Sequence, residues 1–71
     1  MITKRQKEVL SLIAKGETNN EISRSLHLSE STVRNHVRDI FVRLGCDNRV
    51  KATIYAYKSG LMNVLAEATL G

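Results

Sequence analysis

Three glycines set the outline of this chain. Gly16, Gly45 and Gly60 each follow a stretch whose apolar residues recur at helical spacing. Helices commonly end where glycine supplies a left-handed residue free of the Cβ clash. Residues that open helices stand at matching places. Thr3 precedes Gln6 by three positions and Thr18 precedes Glu21 by three, which makes two capping boxes. Ser29 stands before Glu30, whose charge suits the positive end of a helix dipole. Asp47 is the expected cap of the last segment. The punctuation predicts an all-α fold with helices over 4–15, 19–26, 30–44 and 48–59. The chain has no proline, which favours glycine-ended helices over a β-sandwich.

The segment from 30 to 44 is apolar on one side and basic on the other. With Val33 as zero and about 100° per residue, Val37, Ile40 and Leu44 fall within roughly 40° of it. Ser31, Arg34, Asn35 and Arg38 fall on the far side. A helix that buries one stripe and presents Arg, Asn and Arg from its first turns has the build of a DNA-reading helix. About three residues, 27–29, separate it from the short helix carrying Ile22 and Leu26. That is the spacing of a helix-turn-helix unit. In the first helix, Val9, Leu10 and Ile13 supply the apolar face.

The chain has 71 residues, enough for one small domain over 1–71 that buries only ~60% of its unfolded surface. From Asn63 onward, NVLAEATLG has weak periodicity; helix extension, loose docking and fraying all remain open. The net charge of +4 favours a polyanionic partner. One cysteine forms no internal disulfide and no cysteine-rich zinc site, and a fold without staples fits a reducing compartment. No apolar run approaches the ~20 residues that span a bilayer, and no signal-peptide pattern is present. A cytoplasmic chain with no membrane partner is expected. Glu8, Glu21, Asp39, His27 and His36 show no workable pairing. There is no nucleophile motif and no phosphate-cradling glycine loop. No enzymatic activity, metal or cofactor is expected.

These elements, in this order, resemble the LuxR-type (GerE/FixJ-type) helix-turn-helix DNA-binding domain of bacterial transcriptional regulators. ITKRQKEVLSLIAKG is similar to the family's L-T-x-R-E-x-E-V-L-x-L-I-A-x-G. TNNEISRSLHLSESTVRNHVRDIFVRLG is similar to S-N-K-E-I-A-x-x-L-x-I-S-x-x-T-V-K-x-H-x-x-x-I-x-x-K-L-G. DNRVKATIYAYKSGL is similar to x-x-R-x-x-A-x-x-Y-A-x-x-x-G-L. The likeness covers residues 2–61 without a gap. Gln6 replaces a frequent Glu but still suits a capping box. Asn20 replaces a frequent Lys, which removes a phosphate contact. Ser23 replaces a frequent Ala, so its hydroxyl needs a backbone partner. Arg34 replaces a frequent Lys, and Arg grips guanine O6 and N7 bidentately.

The resemblance implies double-stranded DNA as partner, with Arg34, Asn35 and Arg38 at base edges. Thr18, Asn19 and Asn20 open the second helix, where backbone N–H groups, hydroxyls and amides suit phosphate. Ser29, Ser31 and Thr32 offer the same at the third helix. Arg43, near its far end, serves either a flanking phosphate or the helix C-terminus. His36 flanks the buried stripe as a packing or hydrogen-bonding residue, a phosphate contact being the alternative, and Cys46 is expected to be a small buried hydrophobe. His27 is expected in the turn, exposed. In the last helix Val50, Ile54, Tyr57 and Leu61 form one stripe, and Ala52, Tyr55, Ala56 and Ser59 the other. The family packs the alanine positions inward and dimerises through this helix. Val50, Ile54 and Tyr57 are therefore the expected patch of a weak homodimer on DNA, the alternative being one broad buried face. RNA polymerase is a further implied partner. Two other readings stand beside this one: a sigma-factor region 4-like promoter-binding domain, and a helical module whose basic face meets an acidic protein. A complete small regulator and the output domain of a larger receptor or response regulator both fit the residues.

Overall fold

The computed structural model describes residues 2–62. They form α1 (Lys4–Ala14), α2 (Asn19–Leu26), α3 (Glu30–Leu44) and α4 (Arg49–Lys58), with no strand among them. Each boundary lies within one residue of the sequence reading. The expectation for 63–71 lies outside the described residues.

α1 is the hub. It packs on α4, on α3 and on α2, while α2 and α4 do not pack backbone against backbone. Its buried stripe is Gln6, Val9, Leu10 and Ile13. These meet Ile22 of α2, Val33, Val37 and Ile40 of α3, and Ala52 and Ala56 of α4. Two alanines suffice on α4 because a small side chain lets its backbone approach α1 closely. After Gly60 the chain turns back, and Met62 enters the same core at 8% exposure. Nothing in the pattern around Met62 marks it as core, since it lies beyond the helix stop.

The caps follow the expected chemistry. Thr3 Oγ1 accepts from the Gln6 N–H at 3.1 Å, and Gln6 Oε1 accepts from the Thr3 N–H at 2.9 Å. Gln6 is buried yet satisfied by this box. The Ser23 hydroxyl finds its backbone partner, donating to the Asn20 carbonyl at 2.6 Å. One cap is corrected. Asn48, not Asp47, caps α4: its Oδ1 accepts from the Lys51 N–H at 2.9 Å. Asp47 sits one residue too early to reach that group. It pairs instead with the Lys51 ammonium at 3.1 Å, and this neighbour holds its carboxyl below the ordinary aspartate range.

Gly16, Gly45 and Gly60 take positive φ as expected. The turn of the helix-turn-helix holds a fourth left-handed residue, and it is His27, at φ 57°. The Leu28 N–H reaches back over it to the Ser23 carbonyl at 2.9 Å, closing the end of α2 as glycine usually does. A side chain in this conformation costs about 1–2 kcal/mol. We expect His27→Gly to raise stability by about 0.5–1 kcal/mol, the remainder going to glycine's greater unfolded-state entropy. Urea denaturation checks this; an unchanged or lowered midpoint would show that the imidazole offsets the strain.

Candidate nucleic-acid interface

α3 displays what its pattern promised. Val33, Val37 and Ile40 are buried, and Ser31, Arg34, Asn35 and Arg38 are exposed on the opposite side. Among the described residues, Arg34, Asn35 and Arg38 make no side-chain hydrogen bond or ion pair. Their donors are uncommitted, which an intramolecular role would not leave. Arg43 is exposed in the last turn of α3. Nine residues beyond Arg34, it lies about 180° around the helix. It stands in the last turn, beyond the first turns that carry the other three, where a cation suits the helix C-terminus. His36 is half-buried on the flank, and Cys46 is half-buried against the core.

The beginnings of α2 and α3 are tied together. The Asn20 amide donates to the Glu30 carboxylate, bridging the first turns of both helices. At α3, Ser29 Oγ accepts from the Thr32 N–H at 3.1 Å and donates to Thr32 Oγ1 at 2.9 Å, with Ser31 Oγ 3.2 Å away. At α2, the Thr18 N–H donates to Glu21 Oε1 at 2.8 Å and Thr18 Oγ1 accepts from the Glu21 N–H at 3.2 Å. The Thr18 N–H bond is the main reason the Glu21 carboxyl lies below the ordinary glutamate range. The Thr18 side chain and the Arg24 charge add to it.

These bonds sort the expected phosphate contacts. The Thr18 backbone N–H is spent on Glu21, so it does not serve as an anion donor. The backbone N–H groups of Asn19 and Asn20 have no partner among the described residues. Asn20 gives one amide hydrogen to Glu30, whose negative charge disfavours a phosphate beside it. Asn19 is oriented differently. Its Oδ1 accepts from Arg49 Nη1 at 2.9 Å, which leaves its NH₂ without a partner among the described residues. Sequence reasoning used Arg49 only as a family mark and missed this bond, because thirty residues separate the partners.

The expected patch on α4 is exposed. Val50 is 68% exposed, and Ile54 and Tyr57 are each 47% exposed. The two-stripe reading needs adjustment at its edges. Ala52 and Ala56 are fully buried, but Tyr55 and Ser59 on their side are exposed. Leu61 lies past the end of α4 and packs on the core rather than extending the patch. A single broad buried face is ruled out by these exposures.

Four helices in this arrangement, with a short α2 and a basic α3 joined by a left-handed turn, define a helix-turn-helix domain. The family model of bacterial regulatory proteins of the luxR family matches residues 1–56. The chain belongs to that family and is a helix-turn-helix DNA-binding domain of transcription regulators. It is 40% identical over 62 residues to the transcriptional regulatory protein LiaR of Bacillus subtilis, covering 87% of this chain and 29% of LiaR. It is 42% identical over 62 residues to the response regulator protein VraR of Staphylococcus aureus, covering 87% of this chain and 30% of VraR. A crystal structure of the response regulator ChrA, from a heme-sensing two-component system, superposes with a TM-score of 0.80 at 33% identity. That match covers 86% of this chain and 30% of ChrA. The chain thus spans under a third of the length of these relatives.

Proposed function

We propose that α3 lies in the major groove of double-stranded DNA with its first turns foremost. Arg34, Asn35 and Arg38 read base edges there, Arg suiting guanine and Asn suiting adenine. One observation carries this reading: three side chains rich in donors share one exposed face and none has a partner within the domain. The starts of α2 and α3 hold the backbone on either side through Asn19, the backbone N–H of Asn20, Ser29, Ser31 and Thr32, and through the Thr18 hydroxyl. Such contacts set register and supply affinity without choosing sequence. Arg43 contributes a flanking phosphate contact at most, given its place on the helix. Two copies meet through Val50, Ile54 and Tyr57 on half-sites about one helical turn apart. The output is of the response-regulator type, exerted in the cytoplasm on transcription, with RNA polymerase as the next partner.

We assign no catalytic role. A cavity of about 310 Å³ lies between the start of α1 and the end of α4, but Lys7, Tyr55 and Ser59 are its only polar side chains. No group of three His, Cys, Asp or Glu residues among the described residues is placed to hold a metal ion. No helix among them is long and apolar enough to cross a membrane.

Titration with random-sequence duplex DNA at several salt concentrations tests the reading. The logarithm of the binding constant should fall linearly with the logarithm of salt. A module built for an acidic protein would leave the duplex unbound. Thr18→Ala should weaken binding to every duplex alike and lower stability by ~0.5–2 kcal/mol. A shift in sequence preference at unchanged stability would move Thr18 out of the anchoring group.

A further inference from the structure

We infer that Arg49 is a positioning residue for DNA binding: it holds the start of α2 and orients Asn19 without itself touching DNA. α2 and α4 do not pack backbone against backbone. Arg49, the first residue of α4, spans the gap with a two-pronged grip. Its Nη1 donates to Asn19 Oδ1 at 2.9 Å and its Nη2 donates to the Glu17 carbonyl at 2.7 Å. Both bonds are partly buried, and Arg49, Asn19 and Glu17 are each half-buried.

The consequence lies in the chemistry of the two groups. A guanidinium has only donors, so it accepts only the oxygen end of an amide. Arg49 therefore selects one of the two amide orientations of Asn19. The selected one turns the NH₂ away from Arg49, and that end makes no other bond among the described residues. A phosphate is acceptor-only, so the presented end is the useful one. The second prong fixes the loop before Thr18, and with it the direction of the α2 N–H groups. Lysine offers a single compact charge in place of the planar fork and does not hold both acceptors in this geometry.

This inference rests on the reading that the start of α2 contacts phosphate, and the test separates the two. Binding of a random-sequence duplex is measured for the 71-residue chain and for Arg49→Met, Asn19→Ala, the double variant, Arg49→Lys and Asn19→Asp. Circular dichroism confirms the fold of each. Arg49→Met and Asn19→Ala should each lower affinity about threefold to tenfold, the factor of one hydrogen bond. The double variant should lose no more than the worse single one, because the residues act in series. The salt slope should stay unchanged in Arg49→Met, whereas loss of a direct phosphate contact lowers it by about 1. Arg49→Lys keeps the charge and should still lose affinity. Asn19→Asp keeps an acceptor for Arg49 but removes the amide donor, so it should stay folded and bind worse than Asn19→Ala. These last two variants decide the matter if Arg49→Met fails to fold. Full affinity in Asn19→Ala removes the Asn19 side chain from the phosphate contacts of α2 and overturns this inference with it. Loss in Asn19→Ala with full affinity in both Arg49 variants overturns only the inference. So does additivity in the double variant, or a salt slope lowered by about 1.

Discussion

Ile54→Glu should leave the domain folded and abolish cooperative binding to paired half-sites. Ile54 is 47% exposed beside Val50 at 68% and Tyr57 at 47%, so a carboxylate there stays in water in the monomer. A patch of three side chains falls well under the ~1,200 Å² of stable interfaces, so the free domain should be monomeric at micromolar concentration. Adjacent half-sites change the arithmetic. In the proposed dimer, two copies on one duplex face each other at an effective concentration in the millimolar range, where a weak contact adds about a hundredfold or more in apparent affinity. Ile54→Glu would bring two carboxylates together in that dimer and remove the gain. A gel shift on one and two half-sites reads it directly. Half-site affinity should be near that of the unmodified chain, while the full site should fill in two independent steps. Ala52→Glu is the contrasting control. Ala52 is 0% exposed in the core, so the same charge there should unfold the domain. Persistent cooperativity in a folded Ile54→Glu variant would place the contact elsewhere.

Arg34→Ala and Arg38→Ala should each cost ~1–3 kcal/mol on the preferred site and relax base choice at one position. Both side chains are exposed and neither has a partner in the domain, so stability should change by less than about 0.5 kcal/mol. The two lie one helical turn apart, about 6 Å along the axis, so they should relax neighbouring positions rather than the same one. Selection of bound sequences from a randomised pool, compared with titration on random duplex, separates base reading from phosphate binding. Equal losses on both kinds of DNA would mark the two as phosphate contacts.

The helices were legible because their signals are local. Thr3 with Gln6, Thr18 with Glu21 and Gly16, Gly45 and Gly60 each act within a few residues of themselves, so spacing alone reports them. Asp47 misled because two adjacent residues, Asp47 and Asn48, are both good caps. Which one serves depends on where α4 begins once Ala52 has docked on the core. His27 lies exposed in the turn as expected, but no local signal marked its left-handed backbone. Its own preference disfavours left-handed backbone, and the packing of α2 against α3 overrides that preference.

The residues of the α3 face were equally legible, since a buried stripe at Val33, Val37 and Ile40 dictates what faces outward. By itself the sequence determined the four helices, the caps of the first three and the basic composition of the exposed α3 face. Only the tertiary structure decided how the edges of that face are built. The Asn20–Glu30 bond, the Arg49–Asn19 bond and the return of Met62 to the core join residues from different elements. No periodicity reports them, because their partners come together only after the helices have packed. Packing also decided the α4 surface. Both of its stripes are apolar enough to bury, and the closer approach permitted by Ala52 and Ala56 turned those inward and left Val50, Ile54 and Tyr57 outside.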